Sequence, residues 1–259
     1  MNRHGDTKQQ KREIKRQRKE AFNVLSSSWF EVDLKNGNSM FLNTTNESSK
    51  WVLLVHGLGS SYKKMCVYAT HFLKLGYNTA ILNVVGNSFS VVSNLKESIQ
   101  FATYFLSNNE STTEMGIFAQ SIGASAVIED IYQYNLRPDW IILENPCDSI
   151  FSGIERVSEK HHLPRFIRSH LLAWCIENLD SIPSSPKRYV QYLKCPTLWI
   201  AGKDDWLCPA VTIQLMSNKC FNPEFHNLDG QHCRAMWRNP EVYWDIVTKF
   251  LSKKNTFQN

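Results

Sequence analysis

The sequence predicts an α/β protein with a mainly parallel sheet, and three observations carry that prediction. Unbroken apolar runs such as Trp51-Val52-Leu53-Leu54-Val55 suit strands buried on both faces. Stretches with helical apolar spacing alternate with these runs along most of the chain. Short loops rich in glycine, serine or aspartate follow the runs, where a parallel sheet would present its strand ends.

Residues 6–25 read as a polar helix or a basic arm. Residues 29–33 and 39–42 read as short strands joined by the turn residues Lys35-Asn36-Gly37-Asn38, an opening hairpin. Buried strands are expected at 51–55, 77–85, 114–119, 140–144, 197–201 and 224–228. Helices are expected at 63–75, 94–106, 122–134, 165–178 and 241–251. Right-handed crossovers would place helices on both faces of the sheet. Residues 147–192, with a loop at Ile182-Pro183-Ser184-Ser185-Pro186, break the alternation and read as an insertion over the sheet. The expected organisation is a basic arm over 1–25 and one domain over 26–259.

Composition narrows the class. With 259 residues, 42% hydrophobic and 20% charged, the chain suits one globular domain with a full core. The net charge of +5 is concentrated in residues 8–19, which hold seven Lys or Arg and one Glu. This arm has no aromatic residues for base stacking and few apolar ones for insertion into lipid. No nucleic-acid partner is therefore expected, and weak contact with an anionic membrane is the most the charge would support. The simplest reading is a solvated helix or frayed tail whose removal leaves activity unchanged. No apolar run spans a bilayer and no signal-peptide pattern is present, so a cytoplasmic protein is expected. The seven cysteines show no CxxC pair and read as reduced thiols. The glycosylation patterns at Asn43, Asn46 and Asn109 read as chance matches.

Four loops carry candidate chemistry. In Ala119-Gln120-Ser121-Ile122-Gly123, the serine falls between a buried strand and a helix. A sharp turn there would project its hydroxyl, and small neighbours would let strand and helix approach. On its own this pentapeptide also fits a helix N-cap. His56-Gly57-Leu58-Gly59-Ser60 follows the first long strand. The N–H groups of Leu58 and Ile122 would together form an oxyanion hole. Gly202-Lys203-Asp204-Asp205 follows a later strand and offers two candidate acids. Asp229-Gly230-Gln231-His232 places a histidine, whose pKa suits proton transfer, after the last strand. No metal-ligand spacing or phosphate-cradling loop is seen, and no cofactor is expected.

Serine, acid and histidine occur in the order that marks one fold. On these residues the sequence resembles the α/β-hydrolase superfamily over about residues 51–251. In that family the acid loop commonly reads Gly-x-x-Asp-x-x-Val-Pro. Gly202 to Pro209 is similar, with Cys208 for Val, so the resemblance selects Asp205 over Asp204. It also implies that residues 147–192 form a small helical cap shaping an acyl pocket. Leu163, Phe166, Ile167, Leu171, Leu172 and Trp174 either line it or simply seal the cap onto the sheet. The elbow departs from the pattern at Ala119, where glycine is usual. The segment Val85-Gly86-Asn87-Ser88-Phe89-Ser90 lacks the arginine and second glycine of many relatives. Glu144, before Asn145-Pro146, is a reserve candidate for the acid.

The expected function is a serine esterase acting on a small-molecule acyl substrate. Ser121 is the nucleophile, His232 the base and Asp205 its orienting acid. A thioesterase or acyltransferase would use the same groups. A binding module on an idle hydrolase fold is the non-enzymatic alternative.

Overall fold

A computed structural model describes residues 6–34, 37–45, 48–85, 88–177 and 185–253. The chain opens with α1 (Lys8–Ser26), β1 (Phe30–Asp33), β2 (Ser39–Asn43) and β3 (Lys50–Val55). Then come α2 (Tyr62–Lys74), β4 (Asn78–Asn83), α3 (Ser88–Ser107), β5 (Glu114–Gln120) and α4 (Ile122–Gln133). β6 (Trp140–Glu144), α5 (Ile150–His161) and α6 (Arg165–Glu177) lead through two short 3-10 turns to β7 (Thr197–Gly202). The chain closes with α7 (Ala210–Ser217), β8 (Pro223–Leu228), α8 (Ala235–Arg238) and α9 (Pro240–Lys253). The turn residues Lys35 and Asn36, the acceptor pattern at Asn46-Glu47, Gly86-Asn87, and residues 178–184 of the insertion lie outside the described residues.

The eight strands form one sheet in the order β1-β2-β4-β3-β5-β6-β7-β8. β1 and β2 pair antiparallel, as do β2 and β4. All pairings from β4 through β8 are parallel. Side chains alternate across this sheet and fill a core on each face. Trp51, Leu53 and Val55 of β3 enter one core, and Val52 and Leu54 enter the other. β6 divides likewise, Ile141 and Leu143 against Trp140 and Ile142. This explains why the strands read as continuous apolar runs. A fully buried Leu such as Leu53 contributes about 1.5–3 kcal/mol over an exposed one.

The arm differs from its expected form. Thr7 and Gln10 make a capping box, with Thr7 N donating to Gln10 Oε1 at 2.9 Å and Gln10 N to Thr7 Oγ1 at 3.2 Å. Ile14, Ala21 and Leu25 lie on one buried stripe, while Lys8, Lys11, Arg12, Lys15, Arg16 and Lys19 face solvent. Ala21 and Leu25 join the core shared with α2 and α9. Asn43 is buried and donates through Nδ2 to Leu25 O at 3.1 Å, which removes it as a surface acceptor site. Thus α1 is solvated on its charged face only, and its apolar stripe is part of the domain.

Helix α3 starts at Ser88 rather than at residue 94, because the helix continues through Val91 and Val92 despite their modest helix propensity. All seven cysteines are free; Cys147 Sγ and Cys208 Sγ lie 2.9 Å apart in the core. Among the described residues, no helix is long and apolar enough to cross a membrane.

Candidate active site

The loops after β3, β5, β7 and β8 converge at the carboxyl ends of the parallel strands. Ser121 occupies the one-residue step between β5 and α4, with φ 54° and ψ −127°. Such a backbone costs a non-glycine residue about 1–3 kcal/mol. The turn is pinned where Ser121 N donates to Glu144 O at 2.9 Å and Ser125 N to Ser121 O at 3.1 Å. Ala119 is fully buried, so alanine fits where glycine is usual. Small residues are required opposite it. A Cβ at Gly57 would lie 2.7 Å from Ser121 Cβ, and one at Gly123 would lie 2.5 Å from His56 O.

The structure brings Ser121, His232 and Asp205 together. Ser121 Oγ and His232 Nε2 are 2.8 Å apart, and His232 Nδ1 and Asp205 Oδ2 are 2.7 Å apart. With Nδ1 protonated towards the carboxylate, Nε2 faces the serine hydroxyl as an acceptor. Asp205 is buried and also accepts from Leu207 N (2.9 Å), Cys208 N (3.0 Å) and Asn145 Nδ2 (2.6 Å). Asp204 is exposed and accordingly turned away from this network. Its backbone N–H donates to Gly230 O at 3.0 Å, which ties the acid loop to the histidine loop. Burial opposes a charge on His232, whereas the Cys233 sulfur and the Asp205 carboxylate favour it. The balance holds the histidine well above its ordinary value.

Solved structures share this architecture. The esterase Pf2001 of Pyrococcus furiosus superposes with a TM-score of 0.70 over 90% of this chain and 93% of its own, at 19% identity. The chain has the α/β-hydrolase fold. The Francisella virulence factor BioJ, 18% identical, gives a TM-score of 0.64 over 96% of both chains. A Thermogutta terrifontis esterase, 16% identical, gives 0.61 over 88% of this chain and 99% of that one. No protein-family model matches the sequence, and no curated protein sequence does. At such identities the likeness concerns the fold.

Within this α/β-hydrolase fold the remaining candidates separate. Leu58 lies in the loop whose Gly57 abuts Ser121, and Ile122 opens α4, where its N–H is free of the helical ladder. Glu144 is fully buried and accepts from Gln120 Nε2 at 2.6 Å and Tyr243 Oη at 3.1 Å. Burial pushes its carboxyl up, and these two hydrogen bonds make Glu144 a brace beneath the elbow. His56 is buried and bonds Gly57 O at 3.0 Å, and burial holds it neutral. His161 and His162 are exposed.

The cap departs from the expected acyl pocket. Phe166 is 66% exposed, and Trp174 packs against the core. The cavity beside Ser121 measures about 150 Å³ and is walled instead by residues such as Arg18, Leu58, Lys64, Arg234 and Trp237. What the cap does reach is the acid loop. Arg156 of α5 donates to Leu207 O at 3.0 Å and to Asp148 Oδ1 at 2.8 Å.

Sequence reasoning missed Asn145, Arg156 and Arg18. Asn145 left a trace, an asparagine directly after a buried strand; its φ of 50° is one that asparagine tolerates well. Arg156 and Arg18 left none, because an arginine on an amphipathic helix reads as a solvated charge.

Proposed function

We propose that this protein is a serine hydrolase that cleaves a carboxylic ester or thioester. The observation that carries the reading is the unbroken relay from Ser121 through His232 to Asp205, at 2.8 and 2.7 Å. His232 takes the Ser121 proton as the hydroxyl oxygen attacks the carbonyl carbon. Asp205 stabilises the imidazolium and Asn145 holds Asp205. The N–H groups of Leu58 and Ile122 receive the oxyanion. His232 then protonates the leaving group, and an acyl group remains on Ser121. Water, activated by the same histidine, releases the acid. The reading requires no cofactor. It takes support from the esterase names of two fold relatives, Pf2001 and the Thermogutta enzyme. Transfer of the acyl group to an acceptor other than water would use the same residues.

Labelling with a fluorophosphonate tests the reading. Wild type is expected to be modified at Ser121, while Ser121→Ala and His232→Ala are not. A folded wild type that stays unlabelled would move the protein to the idle binding-module class.

A further inference from the structure

The cavity beside Ser121 gathers positive charge from three separate elements: Arg18 of α1, Lys64 of α2, and Arg234 two residues beyond His232. Arg18 is half-buried with its guanidinium carbon 5.1 Å from the centre of the Trp237 ring. Its Nε is buried without a hydrogen-bond partner among the described residues. Lys64 Nζ donates to Gly59 O at 2.7 Å, beside the proposed oxyanion loop.

The charges are poorly balanced. Among the described residues Asp6 is a carboxylate that pairs here, and it is divided between Arg234 Nε at 3.7 Å and Arg238 Nη2 at 3.3 Å. Asp205 lies behind His232, with no exposed side-chain surface. Burial lowers the pKa of Arg18, and Arg234 lowers it further. Burial acts the same way on Lys64, with Arg18 and Arg234 adding to it. Cations that depress one another in a small cavity bind an anion better than any one of them alone.

We propose that this cavity is the subsite for a small anionic group, a carboxylate or phosphate, carried by the ester that Ser121 cleaves. The proposal rests on the serine-hydrolase reading for its location, and names the substrate class of that site. The cavity of about 150 Å³ suits such a group and is far too small for a long acyl chain.

Binding to full-length Ser121→Ala, which cannot turn substrate over, separates the two claims. The probes are ethyl pentanoate, monoethyl glutarate and ethyl 4-phosphonobutyrate, of matched chain length. Calorimetry is expected to show both anionic esters binding at least about tenfold more tightly than the neutral one, with the advantage shrinking as salt rises. The tighter of the two anionic esters identifies the source as carboxylate or phosphate. Adding Arg18→Gln should remove most of the advantage, whereas Lys15→Gln, on the exposed face of α1, should preserve it. Equal binding of all three esters, or an advantage indifferent to Arg18→Gln, overturns the proposal. Hydrolysis of ethyl pentanoate by wild type reports separately on the serine-hydrolase reading.

Discussion

In the proposed mechanism the Ser121 hydroxyl draws its reactivity from His232, in contact at 2.8 Å, and from groups behind the histidine that do not touch the serine. Asp205 is held by four hydrogen-bond donors, and one of them, His232 Nδ1, orients the base. Replacing it by Asp205→Asn is expected to lower kcat by about 10³–10⁴ with the fold intact, because the asparagine amide favours the wrong tautomer. Circular dichroism together with steady-state kinetics checks both halves of that statement. Asn145→Ala removes one donor to a buried carboxylate and is expected to lower kcat roughly tenfold or more. A second expectation concerns pH. His232 accepts the serine proton only when neutral, and its pKa lies above the ordinary 6.5. Activity should therefore be low in acid and rise with pH, with the limb of the kcat/KM profile centred on the alkaline side of 6.5. A midpoint below 6.5 would contradict the electrostatic account of the site.

Helix α1 carries its information unevenly. Its charged face dominates the sequence, and only Ile14, Ala21 and Leu25 mark the buried stripe. That is why the segment reads as a solvated arm although it packs against the domain. Leu25 is 3% exposed, so Leu25→Ala should cost about 2–4 kcal/mol in urea unfolding. A loss below half a kcal/mol, the range typical of surface sites, would mean the helix is not docked in solution. The strands were far easier to read. Burial on both faces gives an apolar run whatever the sheet order, and polar loops end it sharply. The elbow was legible as well, since Ser121 lies between such a run and a helix. Gly123 then follows from sterics: Gly123→Ala places a methyl against His56 O and should abolish fluorophosphonate labelling by displacing the turn.

One sheet unites the molecule, and both cores are built on the same strands. Loss of either core unsupports the other, so urea should unfold the protein in one transition, with near- and far-ultraviolet circular dichroism coinciding. Two separated transitions would mean that one face is stable alone. The order β4-β3-β5 could not be read from the sequence, because a buried strand carries no label for its neighbour. For the same reason candidates for the relay were legible in the chain but the cationic wall beside it was not, since its residues come from positions 18, 64 and 234.

The separation of 111 positions from the relay's serine to its histidine has a temporal meaning during synthesis. At ribosomal rates, roughly 6 to 22 seconds pass between the polymerisation of Ser121 and that of His232. Throughout that interval the nascent chain carries a serine with no base to activate it. The acyl-transfer chemistry proposed for the folded protein is thus silent until His232 has been made, with no inhibitor or processing step needed to keep it so.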